Sequence, residues 1–157
     1  SGDQRIHPGG RIMAANRHLG RVIAFQALYE IDAVDHDPQE VVTRWASERE
    51  ASASVIAFAR DLVRGVLQER EELDTLLQGS APMFPVARIA PVDRAVLRLA
   101  IFELLHVPAT PPKVVINEAV ELAKQFGGDH SSRFVNGVLG DVLDRHGATP
   151  AASSGHE

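Results

Sequence analysis

Between Ala14 and Ala33 the apolar residues Leu19, Ile23, Ala24, Ala27, Leu28 and Ile31 return at steps of three and four, which lays one stripe along a helix. Asp37-Pro38-Gln39-Glu40 then has the form of a second helix start. Asp37 can cap, Pro38 suits the first helical position, and Glu40 can close a capping box. The helix it opens carries Val41, Val42 and Trp45. Ser52 or Ser54 can cap a longer helix. Its stripe is Val55, Ala59, Leu62, Val63, Val66 and Leu67, and it is expected to run on through Leu73, Leu76 and Leu77 to Gly79. Pro82, Pro85 and Pro91 punctuate the next stretch, leaving room for one short turn of helix near Val86 to Ile89.

Pro91 opens VDRAVLRLAIFELLH, apolar almost all round and therefore expected as the buried central helix. Thr110-Pro111-Pro112 ends that segment and can cap VVINEAVELAKQF, which Gly127 and Gly128 stop. Ser131 or Ser132 is the expected start of a last helix, with Phe134, Val135, Val138, Leu139, Val142 and Leu143 on its apolar face and Gly147 at its end. No segment alternates with period two. The fold class predicted is all-α, with about six to seven helices joined by short connections that favour antiparallel neighbours. Residues 1–13 read as a disordered leader, with Met13 as a candidate natural start, and 148–157 as a disordered tail. The folded domain is expected over 14–147.

The 157 residues are one domain's worth of chain, enough to bury a core without staples. There is no cysteine, which excludes a disulfide framework, a thiolate zinc site, an iron–sulfur cluster and a cysteine nucleophile. No apolar run approaches the roughly 20 residues of a membrane span. The net charge of −5 rules out a protein that is basic as a whole. The charge is unevenly placed, however. Residues 1–25 hold Arg5, Arg11, Arg17 and Arg21 against Asp3 alone, a surplus of +3 that leaves −8 on the remainder. A basic segment on an acidic body fits an arm that meets an anion while the body repels others. A solvated tail fits it too.

Chemistry is scarce. The histidines stand singly, with no H-E-x-x-H or His-rich tract, and His106 at a helix end has a structural reason in the helix dipole. No metal or cofactor is expected. A nucleophile elbow, a P-loop and a G-x-G-x-x-G are all missing. Gly127-Gly128 follows a helix rather than a strand and so reads as a cap. Glu118 and Glu121 share a helix face, but Lys124 lies within a turn of Glu121, and a structural role is the simpler reading. The chain is not expected to be an enzyme.

Two features break local rules. Arg17 and Arg21 are one helical turn apart with His18 beside them, and no acid stands between Asp3 and Glu30 to neutralise them. Like charges at that spacing cost a few tenths of a kcal/mol, and cations near a helix start oppose the dipole by about 0.3–1 kcal/mol. A phosphate backbone would reverse the sign of both. The second feature is FGGDHSSRF, residues 126–134. It sets Arg133, His130, two hydroxyls and two phenylalanines at a helix start, just after Lys124. Bases of a single strand stack on exposed rings while donors meet phosphates. Phe126 and Phe134 fit a plain core role equally well, and periodicity leaves both readings open.

QALYEID (26–32), PVDRAVLRLAIFELL (91–105), VVINEAVELAKQFG (114–127) and RFVNGVL (133–139) resemble the NusB family of bacterial transcription antitermination factors, in order from about Arg17 to Asp144. The resemblance implies two packed helical bundles, a cytoplasmic location and single-stranded RNA of the boxA type as ligand. It implies as partners the ribosomal protein NusE and the antiterminating RNA polymerase complex. The family's arginine-rich motif falls on Asn16 to Arg21, with His18 in place of a usual arginine and Leu19 and Gly20 diluting it. The RNA-contacting residues expected are Arg17, His18, Arg21, Lys124, Arg133 and Phe134. Asn117 and Glu118 are expected to fix helices, with Arg94 or Arg98 as ion-pair partner, and Gly137 and Gly140 to permit close helix contact. Two alternatives stand beside this reading. One is a protein-interaction module, such as a homodimer that covers the basic helix. The other is a fragment of a ribosomal RNA methyltransferase that carries a NusB-like domain.

Overall fold

The computed structural model describes residues 8–147, and these contain seven α-helices and no strand. They are α1 (Pro8–Ala33), α2 (Pro38–Glu48), α3 (Ala53–Gln68), α4 (Arg70–Ser80), α5 (Pro91–His106), α6 (Pro112–Gly127) and α7 (Asp129–Val142). A 3₁₀ turn at Val86–Arg88 precedes α5 and a π turn at Leu143–Gly147 follows α7. The all-α expectation holds. Contacts gather the chain into two compact units, Ser1–Val63 and Arg64–Glu157. Residues 1–7 of the expected leader and the expected tail 148–157 lie outside the described residues. Pro8 to Ile12, expected in the leader, is helical. Proline suits a first helical turn, and Gly9 and Gly10 weaken helix there without forbidding it.

In the first unit α1 packs against α2. Gly20 to Phe25 are buried without a break, followed by Ala27 and Leu28, and α2 contributes Val41, Val42 and Ala46. The start of α2 is as its sequence predicts. Glu40 N–H donates to Asp37 Oδ2 at 3.1 Å with Pro38 in the first turn. Ser52 is the residue that caps α3, its Oγ accepting from Val55 N–H at 3.4 Å. On the α2 and α3 surfaces Arg60 reaches Thr43 Oγ1 at 2.7 Å.

One carboxylate ties α1 to the start of the next segment. Glu30 binds His36 Nδ1 at 2.7 Å, accepts from Trp45 Nε1 at 3.0 Å and pairs with Arg44. The His36 hydrogen bond, then Arg44 and Trp45, hold its carboxyl at about 2 against an ordinary 4.5, although burial pulls the other way. A carboxyl depressed by folding contributes stability that is complete above its unfolded pKa and lost as pH falls through the folded one. The contribution of Glu30 is therefore expected to be whole at pH 7 and to fade between about 4.5 and about 2. Urea melts of Glu30→Gln and the unaltered protein should differ at pH 7 and converge toward pH 2. Parallel acid limbs would show that the three partners contribute nothing.

In the second unit α5 is central, touching α4, α6 and α7. Ala95 to Ile101 are all buried, which matches the apolar run read as a central helix. Gly65 lets this happen on one side, since a Cβ there would stand 2.1 Å from Phe102 Cζ. The helix expected to run unbroken from Ser52 to Gly79 is instead two. The turn falls at Glu69 (φ −101°, ψ 16°), yet Val66, Leu73 and Leu77 stay buried on either side of it. The stripe keeps its phase through the break, so periodicity carries no sign of it. Gly137 and Gly140, expected at a close helix contact, face open space, with nothing within 4 Å of a Cβ placed on either.

Candidate nucleic-acid interface

The basic segment lies on α1. Arg17 is exposed, His18 half-buried and Arg21 buried, at 4% exposure. The reason is Phe58 on α3. The Arg17 guanidinium lies 4.4 Å from the centre of its ring and that of Arg21 5.6 Å, both within the range where the ring's negative face attracts a cation. The two arginines that looked uncompensated in the sequence therefore share one aromatic ring. Gly20 makes room for it, since a Cβ there would stand 2.5 Å from Phe58 Cδ2. Gly20, read as a dilution of the basic motif, is what seats the ring against the helix. Arg21, expected to face RNA directly, is buried here, with its guanidinium toward Phe58.

The second group flanks the turn between α6 and α7. Gly128 takes φ +96°, a conformation open to glycine and costly for other residues, and its N–H closes α6 onto Ala123 and Lys124 carbonyls at 3.0 and 3.1 Å. The same residue stands before the first turn of α7, which begins at Asp129 rather than at the serines. Ser132 turns its hydroxyl back onto Asp129 O at 2.9 Å. Ser131 sits over Gly127, 2.4 Å from where a Cβ would be. Lys124 and Arg133 are exposed, while Phe134 is half-buried with its ring edge-on to Phe84, centres 5.7 Å apart at 83°. Phe84 is 50% exposed and Met83 83%. The ring that this group offers to solvent is thus Phe84, a residue passed over in the sequence because it sits in a proline-rich connection.

Arg98 and Arg94, the expected ion-pair partners of Glu118, each also meet acceptors elsewhere. Arg98 makes a two-pronged pair with Asp74, Nε to Oδ1 at 2.8 Å and Nη2 to Oδ2 at 3.0 Å. Arg94 donates to the Val86, Ala87 and Ile89 carbonyls. Glu118 itself is half-buried on α6. His106 stacks on Phe102 and pairs with Glu72 at 3.0 Å. With Glu69 these two form a group whose ligand atoms lie within 4.8 Å of one another. It sits at the surface, where acidic groups commonly gather without an ion. Among the described residues no helix is long and apolar enough to cross a membrane.

The NusB family model matches residues 18–144. The chain is 49% identical over 140 residues to the transcription antitermination protein NusB of Chloroflexus aggregans, covering 87% of this chain and 93% of that one. It is 48% identical over 136 residues to the protein of the same name in Roseiflexus castenholzii, with 85% and 96% covered. Among solved structures it is similar to T. maritima NusB, at TM-score 0.78 and 32% identity over 83% of this chain and 92% of that one. It is also similar to a chain in a crystal structure of the antitermination factors NusB and NusE in complex with dsRNA. There the TM-score is 0.78 at 26% identity, over 84% of this chain and 98% of that one.

Proposed function

The chain belongs to the NusB family, and from that premise we propose that it is an RNA-binding transcription antitermination factor. It works with the ribosomal protein NusE on boxA-type RNA in ribosomal RNA transcripts, within an RNA polymerase antitermination complex in the cytoplasm. It acts by binding and not by catalysis, with no cofactor. The observation that carries this reading is the match over residues 18–144, joined to the likeness to a chain from a complex of NusB, NusE and dsRNA. The names of the relatives, whose length the chain spans almost completely, favour antitermination over the methyltransferase fragment.

The contacts we assign are Arg17 and His18 on α1, and Lys124, Arg133 and Phe134 around the α6–α7 turn, with Phe84 added beside Phe134 and Arg21 as support. Single-stranded RNA suits this set better than duplex, because a ring reads an unstacked base and a paired base hides its faces. With roughly three phosphate contacts, the log–log dependence of affinity on salt should have a slope near −2. Binding should be weak alone and stronger with NusE, as size exclusion and anisotropy with boxA-type RNA would show. A slope of zero would refute the electrostatic part of the reading. Arg133→Ala should weaken binding severalfold without lowering the melting temperature, since an exposed cation near the N-terminal end of α7 does nothing for the helix. If that variant binds normally, with and without NusE, the turn is a connection and carries no RNA. A homodimer that covers α1 would be revealed in the same columns by a concentration-dependent shift without RNA.

A further inference from the structure

Beside the Arg17–Phe58 stack lies a cleft of about 200 Å³, lined by Met13, Asn16, Arg17, Ser54, Val55 and Phe58. All six belong to the first unit. The volume is below the roughly 300 Å³ at which sites for drug-sized ligands begin, and suits one planar ring system. Its chemistry is unusual for so small a hollow. Val55 is buried, Met13 is 59% exposed, and between them stand an aromatic ring and a guanidinium that already lies over it. A carboxamide from Asn16 and a hydroxyl from Ser54 complete the wall. No carboxylate lines it, so an amine or metal cation has nothing to bind. A bare phosphate would use Arg17 but has no use for the thioether and the ring, and the Ser52 hydroxyl at the α3 start is already taken by Val55 N–H.

What uses all of these groups is a flat, polarisable ring with donors and acceptors around its edge. We propose that this cleft is the seat of a single unstacked nucleobase of the bound RNA, laid against the Arg17–Phe58 stack. Its edge meets the Asn16 carboxamide, which offers one donor side and one acceptor side, and the Ser54 hydroxyl. The inference rests on the proposed RNA-binding function and adds to it a place where a base is read. Phosphate contacts position a strand, whereas base contacts select its sequence, and the assigned cations alone supply only the first.

The test is a scan of abasic positions. A single-stranded boxA-type oligonucleotide is made with each base removed in turn, and its affinity is measured at fixed salt for the unaltered protein, Asn16→Ala and Phe58→Leu. For the unaltered protein one position should stand out, its loss weakening binding about tenfold, as expected for a base stacked on protein. Asn16→Ala should bind the intact strand severalfold more weakly with an unchanged salt slope, because it removes no charge. At the sensitive position it should lose little further, the two losses being one contact counted twice. Phe58→Leu keeps apolar volume beneath Gly20 and should flatten the scan at the same position; Asn16→Ala carries the test alone if that variant folds poorly. Equal cost at every abasic position, or an Asn16→Ala scan parallel to the original, would overturn the base seat and leave RNA binding standing. Failure of the unaltered protein to bind RNA, with or without NusE, would overturn both.

Discussion

Asp74→Ala is expected to destabilise the protein by about 3 kcal/mol and to lower its melting temperature by roughly 6–12 °C. Arg98 is only 7% exposed, and its Nε and Nη2 donate to the two oxygens of Asp74 at 2.8 and 3.0 Å. This parallel geometry is the strong form of an ion pair. Removing the carboxylate strips a buried guanidinium of that fork of acceptors, and the desolvation it has already undergone is no longer offset. Exposure of the Asp74 side chain at 28% puts the loss at the lower end of the range for buried pairs. Asp74→Ala combined with Arg98→Met should recover much of the stability, since the double variant has no charge to desolvate. Affinity for RNA per folded molecule should be unchanged in both variants. Chemical denaturation decides the matter. An Asp74→Ala midpoint equal to that of the unaltered protein would mean that the pair is worth no more than an exposed one.

What was legible in the sequence was punctuation and stripe. Asp37 and Pro38 announce α2, Pro91 announces α5, and Gly127-Gly128 stops α6, because each residue type has a local conformational reason to stand there. The membership of Lys124, Arg133 and Phe134 in one turn region was legible for the same reason. The break at Glu69 was hidden, since Val66 and Leu73 lie one heptad apart and a heptad returns to nearly the same helix face. The fate of Arg21 was hidden differently. An arginine beside an apolar stripe reads as solvent-facing, and the ring that covers it comes from Phe58, 37 positions along the chain. Gly20 and Gly65 are made necessary by rings on other helices, Phe58 and Phe102. Gly137 and Gly140, equally conspicuous in the sequence, meet no such ring. Pairings across helices are long-range facts, and no local rule contains them.

That hidden pairing separates two residues which look equivalent in the sequence. Arg17→Ala is expected to weaken RNA binding about tenfold and to reduce the steepness of the salt dependence by roughly 0.7, one phosphate contact on a single strand. Its melting temperature should change little, because Arg17 is exposed and an exposed cation–ring contact is worth only about 0.5–1 kcal/mol. Removing a cation from the early part of α1 also relieves the repulsion from its neighbour one turn away. Arg21→Ala should behave in the opposite way. At 4% exposure its alkyl stem is packing material, and its guanidinium is within cation–ring distance of Phe58. The loss is expected at about 2–3 kcal/mol, most of it from packing and from polar groups left unsatisfied. The RNA affinity of the fraction that remains folded should fall less than for Arg17→Ala, since Arg21 touches the strand only through the stack it supports. The doubly substituted protein, Arg17→Ala with Arg21→Ala, should therefore be both unstable and weak in binding. Thermal melts and salt-titrated anisotropy on the two single variants distinguish the roles. If Arg21→Ala melts normally and loses RNA as Arg17→Ala does, the guanidinium reaches the strand itself and the burial seen around Phe58 opens when RNA binds.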